Sequence, residues 1–91
     1  MKYEVIYTNQ FKKDLKLAKK QNKDLGKLYK IVDLLSSDKK LDISYKDHSL
    51  IGYYKGYREC HIESDWLLVY KIKDEKMVLS LSRLGSHSDL F

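Results

Sequence analysis

The sequence predicts an α+β domain: an N-terminal strand, a two-helix hairpin, then an antiparallel three-stranded meander in one small sheet. Three observations carry that reading. Two stretches before residue 36 repeat their apolar residues at helical spacing. From residue 53 the period changes to two, the repeat of a strand. Between the last two apolar runs Asp74-Glu75-Lys76 turns the chain, a polar turn short enough for a hairpin.

Taken in order, Tyr3-Glu4-Val5-Ile6-Tyr7 is aromatic and β-branched, which suits a strand. Thr8 or Asn9 then caps a helix that places Phe11, Leu15 and Ala18 on one stripe. Asn22-Lys23-Asp24 interrupts the pattern, and Asp24 can cap a second helix carrying Leu25, Leu28, Ile31, Val32 and Leu35. Gly26 weakens its first turn slightly. Residues 36–47 read as loop. In residues 57–62, alternation puts Tyr57, Glu59 and His61 on one face and Arg58, Cys60 and Ile62 on the other. Residues 66–72 are nearly all apolar, as in a central strand covered on both faces. Residues 77–83 supply the last strand, and the helices are expected to stack on one face of the sheet. The order of the strands within the sheet is not readable from these patterns.

Size and composition narrow the function. With 91 residues, a single domain spanning 1–91 is expected. A chain this short buries only about 60–65% of its unfolded surface, which argues against a deep enclosed cofactor pocket. With one Cys there is no internal disulfide and no multi-Cys zinc site. No apolar run approaches the roughly 20 residues of a membrane span. The opening Met1-Lys2-Tyr3-Glu4 lacks the apolar stretch of a leader, so a cytoplasmic protein is expected. No Gly-rich phosphate loop is present, which excludes nucleoside-triphosphate chemistry of that type.

Charge adds direction. The net charge is +5, and all of it falls in residues 1–45, where eleven Lys face six acids. Lys12, Lys13, Lys16, Lys19, Lys20 and Lys23 form its densest part. Such a cluster attracts polyanions, of which nucleic acid is the commonest in the cytosol, although it also fits an ordinary solvated helix face. The three histidines, His48, His61 and His87, all lie in the other half, each near a polar or charged neighbour. Histidine is the side chain best suited to moving protons near neutral pH. RNA cleavage can use exactly that equipment without a metal or cofactor, because the ribose 2′-OH is the nucleophile. It needs a base, a cation facing the phosphate and an acid for the leaving oxygen. The histidine spacing matches no zinc signature, and Cys60 is expected to be a buried apolar filler. Trp66 and the eight Tyr allow base stacking, though Trp66 opens an apolar strand and fits a core equally.

The run Tyr45-Lys46-Asp47-His48-Ser49-Leu50, then Lys55-Gly56-Tyr57-Arg58-Glu59-Cys60-His61-Ile62, then Asp65-Trp66-Leu67-Leu68-Val69-Tyr70, and the ending Arg83-Leu84-Gly85-Ser86-His87-Ser88-Asp89-Leu90-Phe91 resemble the YafQ-type branch of the RelE/ParE toxin superfamily. The resemblance covers essentially the whole chain. It implies a RelE-like fold and an endonuclease that cuts translated mRNA in the ribosomal A site without a cofactor. Products would be a 2′,3′-cyclic phosphate or 3′-phosphate and a 5′-hydroxyl. It ties His48, His61, Asp65, His87 and Phe91 to the active site, with Arg83 bracing the scissile phosphate. Glu59 or His61 would be the base, His87 the acid, and His48 and Asp65 orienting groups. Phe91, Trp66 and Lys55 would contact substrate, and the six lysines would meet ribosomal RNA. A cognate antitoxin is the implied protein partner. Two positions depart from the branch's best-known member: Glu59 replaces Asp, and Ser64 replaces Pro. The rival readings are a gyrase-targeting toxin of the same superfamily, a non-catalytic RNA- or ribosome-binding module, and metal-dependent hydrolysis.

Overall fold

The computed structural model describes residues 2–91; Met1, with which the leader reading begins, lies outside them. The elements are β1 (Glu4–Tyr7), α1 (Asn9–Lys20), α2 (Leu25–Ser36), β2 (His48–Ser49), β3 (Arg58–Glu63), β4 (Trp66–Lys73), β5 (Val78–Gly85) and α3 (His87–Leu90). Single 3₁₀ turns occupy Ile43–Tyr45, Gly52–Tyr54 and Asp74–Lys76. The helix starts are capped as their sequences indicate. Thr8 Oγ1 accepts from the Phe11 N–H and Asp24 from the Gly26 N–H, both at 3.1 Å.

The α+β class and the β3-β4-β5 meander agree with the sequence reading, but the sheet is larger and mixed. It has five strands in the order β1-β5-β4-β3-β2. The N-terminal strand joins it parallel to β5, and His48–Ser49 pairs antiparallel with β3. Two residues are too few to show a period, so the sequence had no means of marking β2 as a strand. The four-residue α3 is equally short of a periodic signal.

Both faces of β4 are covered. Trp66, Leu68 and Tyr70 join Phe11, Ala18, Leu28, Ile31 and Leu35 of the helices in the main core. On the other face Leu67 and Val69 cluster with Leu90 of α3, flanked by Leu50 and Tyr57. That double cover explains the unbroken apolar run. Each fully buried Leu or Val on it stabilises the fold by about 1.5–3 kcal/mol.

A bulge sets the end of β5. Val69 pairs with Arg83 but Tyr70 with Leu81, leaving Ser82 as the extra residue. Simple alternation would put Arg83 on the helix side with Leu79 and Leu81. The bulge reverses the parity, so Leu84 enters the core and Arg83 turns to the opposite face. Beyond the last β1 pairing, α1 takes over the edge of β5. Thr8 Oγ1 donates to the Ser82 carbonyl at 3.1 Å, and Asp14 accepts from the Leu84 N–H at 2.9 Å.

A second polar anchor holds β2. Asp47 accepts from the Tyr70 hydroxyl and, at 3.1 Å, from Arg58 Nη2, while Arg58 Nη1 donates to Ser49 Oγ at 2.8 Å. Burial, then the Asp47 bond, push the Tyr70 hydroxyl's pKa up, so it remains a donor. Residues 47 and 49 are thus tied to the helix side, which leaves His48 on the open face. Among the described residues no helix is long and apolar enough to cross a membrane. Replacing Asp47 by Ala orphans the buried Tyr70 hydroxyl. The expected cost is about 1–3 kcal/mol, read as a lower urea midpoint with unchanged slope.

Candidate active site

The open face of the sheet, away from α1 and α2, brings most of the candidate residues together through strand register. His48 pairs with Glu59, Glu59 with Val69, and Val69 with Arg83, forming one transverse row across four strands. The next row runs His61, Leu67, Gly85. Paired residues project on the same side, about 5 Å apart from strand to strand, so both rows lie on the same face of the sheet.

α3 closes this face from the side. Leu90 is buried against the Leu67 and Val69 cluster, which brings His87 and Phe91 back over the sheet. Gly85 makes the close approach possible, since a Cβ there would lie 3.1 Å from Asp89 Cβ and 3.3 Å from Leu90 Cδ2. Ser86 and Asp89 form a reciprocal capping box, and Asp65 accepts from the His87 N–H at 3.0 Å. The His87 and His61 ring centres end 6.3 Å apart, and the His87 and Phe91 ring centres 5.8 Å apart.

Glu59 and His61 form a graded pair. The Glu59 side chain is 4% exposed and the His61 side chain 18%, with Oε1 to Nε2 at 3.5 Å. That separation is longer than a made hydrogen bond, so Nε2 is not committed to Glu59. His61 Nδ1 faces the Ser64 carbonyl at 3.3 Å, and in the neutral Nδ1–H tautomer that contact leaves Nε2 as the acceptor. His48 is exposed beside Glu59, its Nδ1 at 2.7 Å from the Lys46 carbonyl.

Arg83 is held before any substrate arrives. Its Nε donates to Asp14 Oδ2 at 2.9 Å, and its Nη2 lies 3.5 Å from Oδ1. Those bonds, then proximity to Tyr54, raise the guanidinium pKa further and keep it charged. Sequence reasoning missed Asp14, yet a signal was present. It sits three residues after Phe11 and four before Ala18, on the buried stripe of a lysine-rich helix. An acid on such a stripe calls for a partner. Leu90 and the Ser86/Asp89 box were likewise missed, although Ser-x-x-Asp before an apolar residue is a capping signature.

Eight candidates lie elsewhere. Trp66 is 2% exposed and packed in the helix-side core, with Lys23 Nζ 5.8 Å from its ring centre, so it has no face open to a base. Its strand parity, even-numbered with Leu68 and Tyr70, turns it toward the helices. Lys55 is exposed in the loop after the Gly52–Tyr54 turn. Lys12, Lys13, Lys16, Lys19 and Lys20 are exposed on α1, while Lys23 is half-buried. Cys60 is fully buried, and desolvation pushes its thiol far above the usual range, so it is no nucleophile.

The whole chain has close relatives. Residues 3–91 match the family model described as the bacterial toxin of type II toxin–antitoxin system, YafQ. The chain belongs to the YafQ family of toxins. It is 44% identical to the mRNA interferase toxin YafQ of Escherichia coli K12, over 97% of this chain and 95% of that one. The crystal structure of the E. coli DinJ-YafQ toxin–antitoxin complex superposes with TM-score 0.89 at 42% identity, covering 100% of this chain and 99% of that one. The crystal structure of a metal-bound toxin from Helicobacter pylori gives 0.93 at 47% identity, covering 98% and 99%. Among the described residues of this chain, no three His, Cys, Asp or Glu side chains are arranged to hold a metal ion.

The capping box has a pH signature. Bonds from the Ser86 N–H and hydroxyl hold the Asp89 carboxylate below its ordinary range. A depressed carboxylate stabilises the fold above its unfolded pKa, and that contribution is lost as pH falls through the folded value. The α3 segment is expected to be intact near neutrality and to loosen below about pH 4. Amide spectra of Ser86 and His87 should report this, and Asp89→Asn should remove the titration from both.

Proposed function

We propose that this chain is the toxin of a type II toxin–antitoxin pair and an endoribonuclease that cuts translated mRNA in the ribosomal A site. The observation that carries the reading is the convergence of Glu59, His61, Arg83 and His87 on one open sheet face, beside Phe91. The naming of the E. coli relative as an mRNA interferase supports it.

The geometry divides the labour. His61 is the more exposed member of its pair, so the 2′-OH meets His61 Nε2 and gives it the proton. Glu59, almost fully buried behind it, then stabilises the imidazolium that forms. The 2′-oxygen bonds to phosphorus, and charge on the phosphorane is met by Arg83. The bond from phosphorus to the 5′-oxygen breaks, and His87 supplies that oxygen's proton. A 2′,3′-cyclic phosphate and a 5′-hydroxyl result, and water can open the former to a 3′-phosphate. Asp65 positions His87 through its backbone, Asp14 positions Arg83, and His48 supports Glu59 from β2. Phe91, 53% exposed, stacks on a nucleobase, and Lys55 with the α1 lysines meets RNA phosphates.

The implied partners are mRNA, the ribosome and an antitoxin. A chain of net charge +5 suits an acidic, partly disordered antitoxin segment that folds as it wraps the surface. The test maps mRNA 5′ ends in a reconstituted translation reaction containing wild type, His87→Ala or Arg83→Ala, with and without ribosomes. Cuts within codons should require ribosomes. His87→Ala should slow cleavage by roughly 100- to 10,000-fold, and Arg83→Ala by roughly 100- to 1,000-fold. Cutting of naked RNA would keep the chemistry and remove the ribosome. Absence of cuts in every arm, with growth still arrested, would overturn the catalytic reading in favour of gyrase.

A further inference from the structure

The open face continues past Phe91 into a second set of rings that the cleavage scheme does not use. Tyr54 meets Phe91 edge-on at 5.3 Å and 77°, Tyr57 at 6.1 Å and 86°, and Tyr53 at 5.3 Å and 83°. The rings of His61, His87, Phe91, Tyr54 and Tyr53 thus form an unbroken file leading outward from the proposed cleavage centre. Tyr54 is half-buried at its middle and also lies close enough to Arg83 to raise that residue's pKa. Tyr53 is 95% exposed and makes no side-chain hydrogen bond among the described residues. It is presented by the 3₁₀ turn Gly52–Tyr54, whose first residue has φ +67°, a backbone conformation that glycine adopts without strain.

A tyrosine this open adds nothing to the core, yet it stands at the end of a ring file that starts at the acid and base. Exposed aromatic rings beside cations are how proteins stack single-stranded bases, and here Arg83 lies near Tyr54 and Lys71 Nζ 5.1 Å from the Tyr57 ring centre. We infer that Tyr53 is a second base-stacking face for the nucleotide flanking the scissile phosphate, with Tyr54 as the positioning residue that orients Tyr53, Phe91 and Arg83. This rests on the endonuclease reading and deepens it.

The test is a double cycle of protein and RNA in programmed ribosomes. Wild type and Tyr53→Ala are each given intact mRNA and mRNA with one abasic nucleotide placed on either side of the cleavage position. On intact mRNA, Tyr53→Ala should lower kcat/KM by roughly 5- to 150-fold, the loss of one base–aromatic stack, with kcat nearly unchanged. Tyr53→Trp should restore it. On the abasic mRNA that lacks the stacked base, wild type should fall by a similar factor and Tyr53→Ala should lose little more. Unfolding is no explanation for a loss at so exposed a position, and an unchanged melting temperature checks that. An equal loss from Tyr53→Ala on every mRNA would assign Tyr53 to the ribosome and overturn the inference. Wild-type rates from Tyr53→Ala, with His87→Ala still inactive, would overturn it while leaving the endonuclease reading intact. Failure of wild type to cut would overturn both.

Discussion

Trp66 to Tyr70 of β4 are shut off from water on both faces of the sheet, and each candidate catalytic residue is placed by something that pairs or packs with that strand. Glu59 and Arg83 flank Val69, and His61 lies beside Leu67. His87 arrives because Leu90 needs the apolar surface of Leu67 and Val69. His48 arrives because Asp47 finds Tyr70 on the other face. The same burial that stabilises a small core therefore also sets the positions of the candidate acid and base. It is an economical arrangement for a 91-residue chain, which has little other mass with which to hold a site rigid.

Four carboxylates anchor other parts of the chain. Asp14 fixes Arg83 and the Leu84 N–H, Asp47 fixes Arg58 and Tyr70, Asp65 fixes the His87 N–H, and Asp89 closes the capping box. Asp14 and Asp47 are half-buried in these contacts and Asp65 and Asp89 make theirs at the surface, while most of the α1 lysines point to solvent. The exposed lysines give α1 a positive outward field. That matters for a proposed ligand whose backbone carries one negative charge per nucleotide.

The rings extend the same logic from chemistry to recognition. Phe91 is delivered by α3 and Tyr54 by the turn before β3, two segments that meet only because each is docked on the open face of the sheet. A site built from two such segments can change the residues that touch a base without disturbing the strands that hold the acid and base.

Much was legible in the residues themselves. The helices and their caps, the meander, the face shared by Glu59 and His61, and the double cover of β4 all follow from local periodicity and capping chemistry. Motifs after residue 45 also pointed to the family and to candidate residues that strand register brings to one face. What periodicity could not reach was long-range pairing. The parallel docking of β1 on β5 joins segments far apart in sequence, and His48–Ser49 is too short to show a period before it pairs with β3. The parity of Arg83 was inverted by one extra residue, Ser82, whose bulge is a property of two strands and not of one. Asp14 reads as a misplaced acid until Arg83 is beside it, and Trp66 reads as a stacking platform until the helices cover it. Local sequence determined which segments become helix or strand and which faces are apolar, because those depend on neighbours within a few residues. The tertiary structure alone decided which charges and rings meet, because that depends on which buried surfaces find each other.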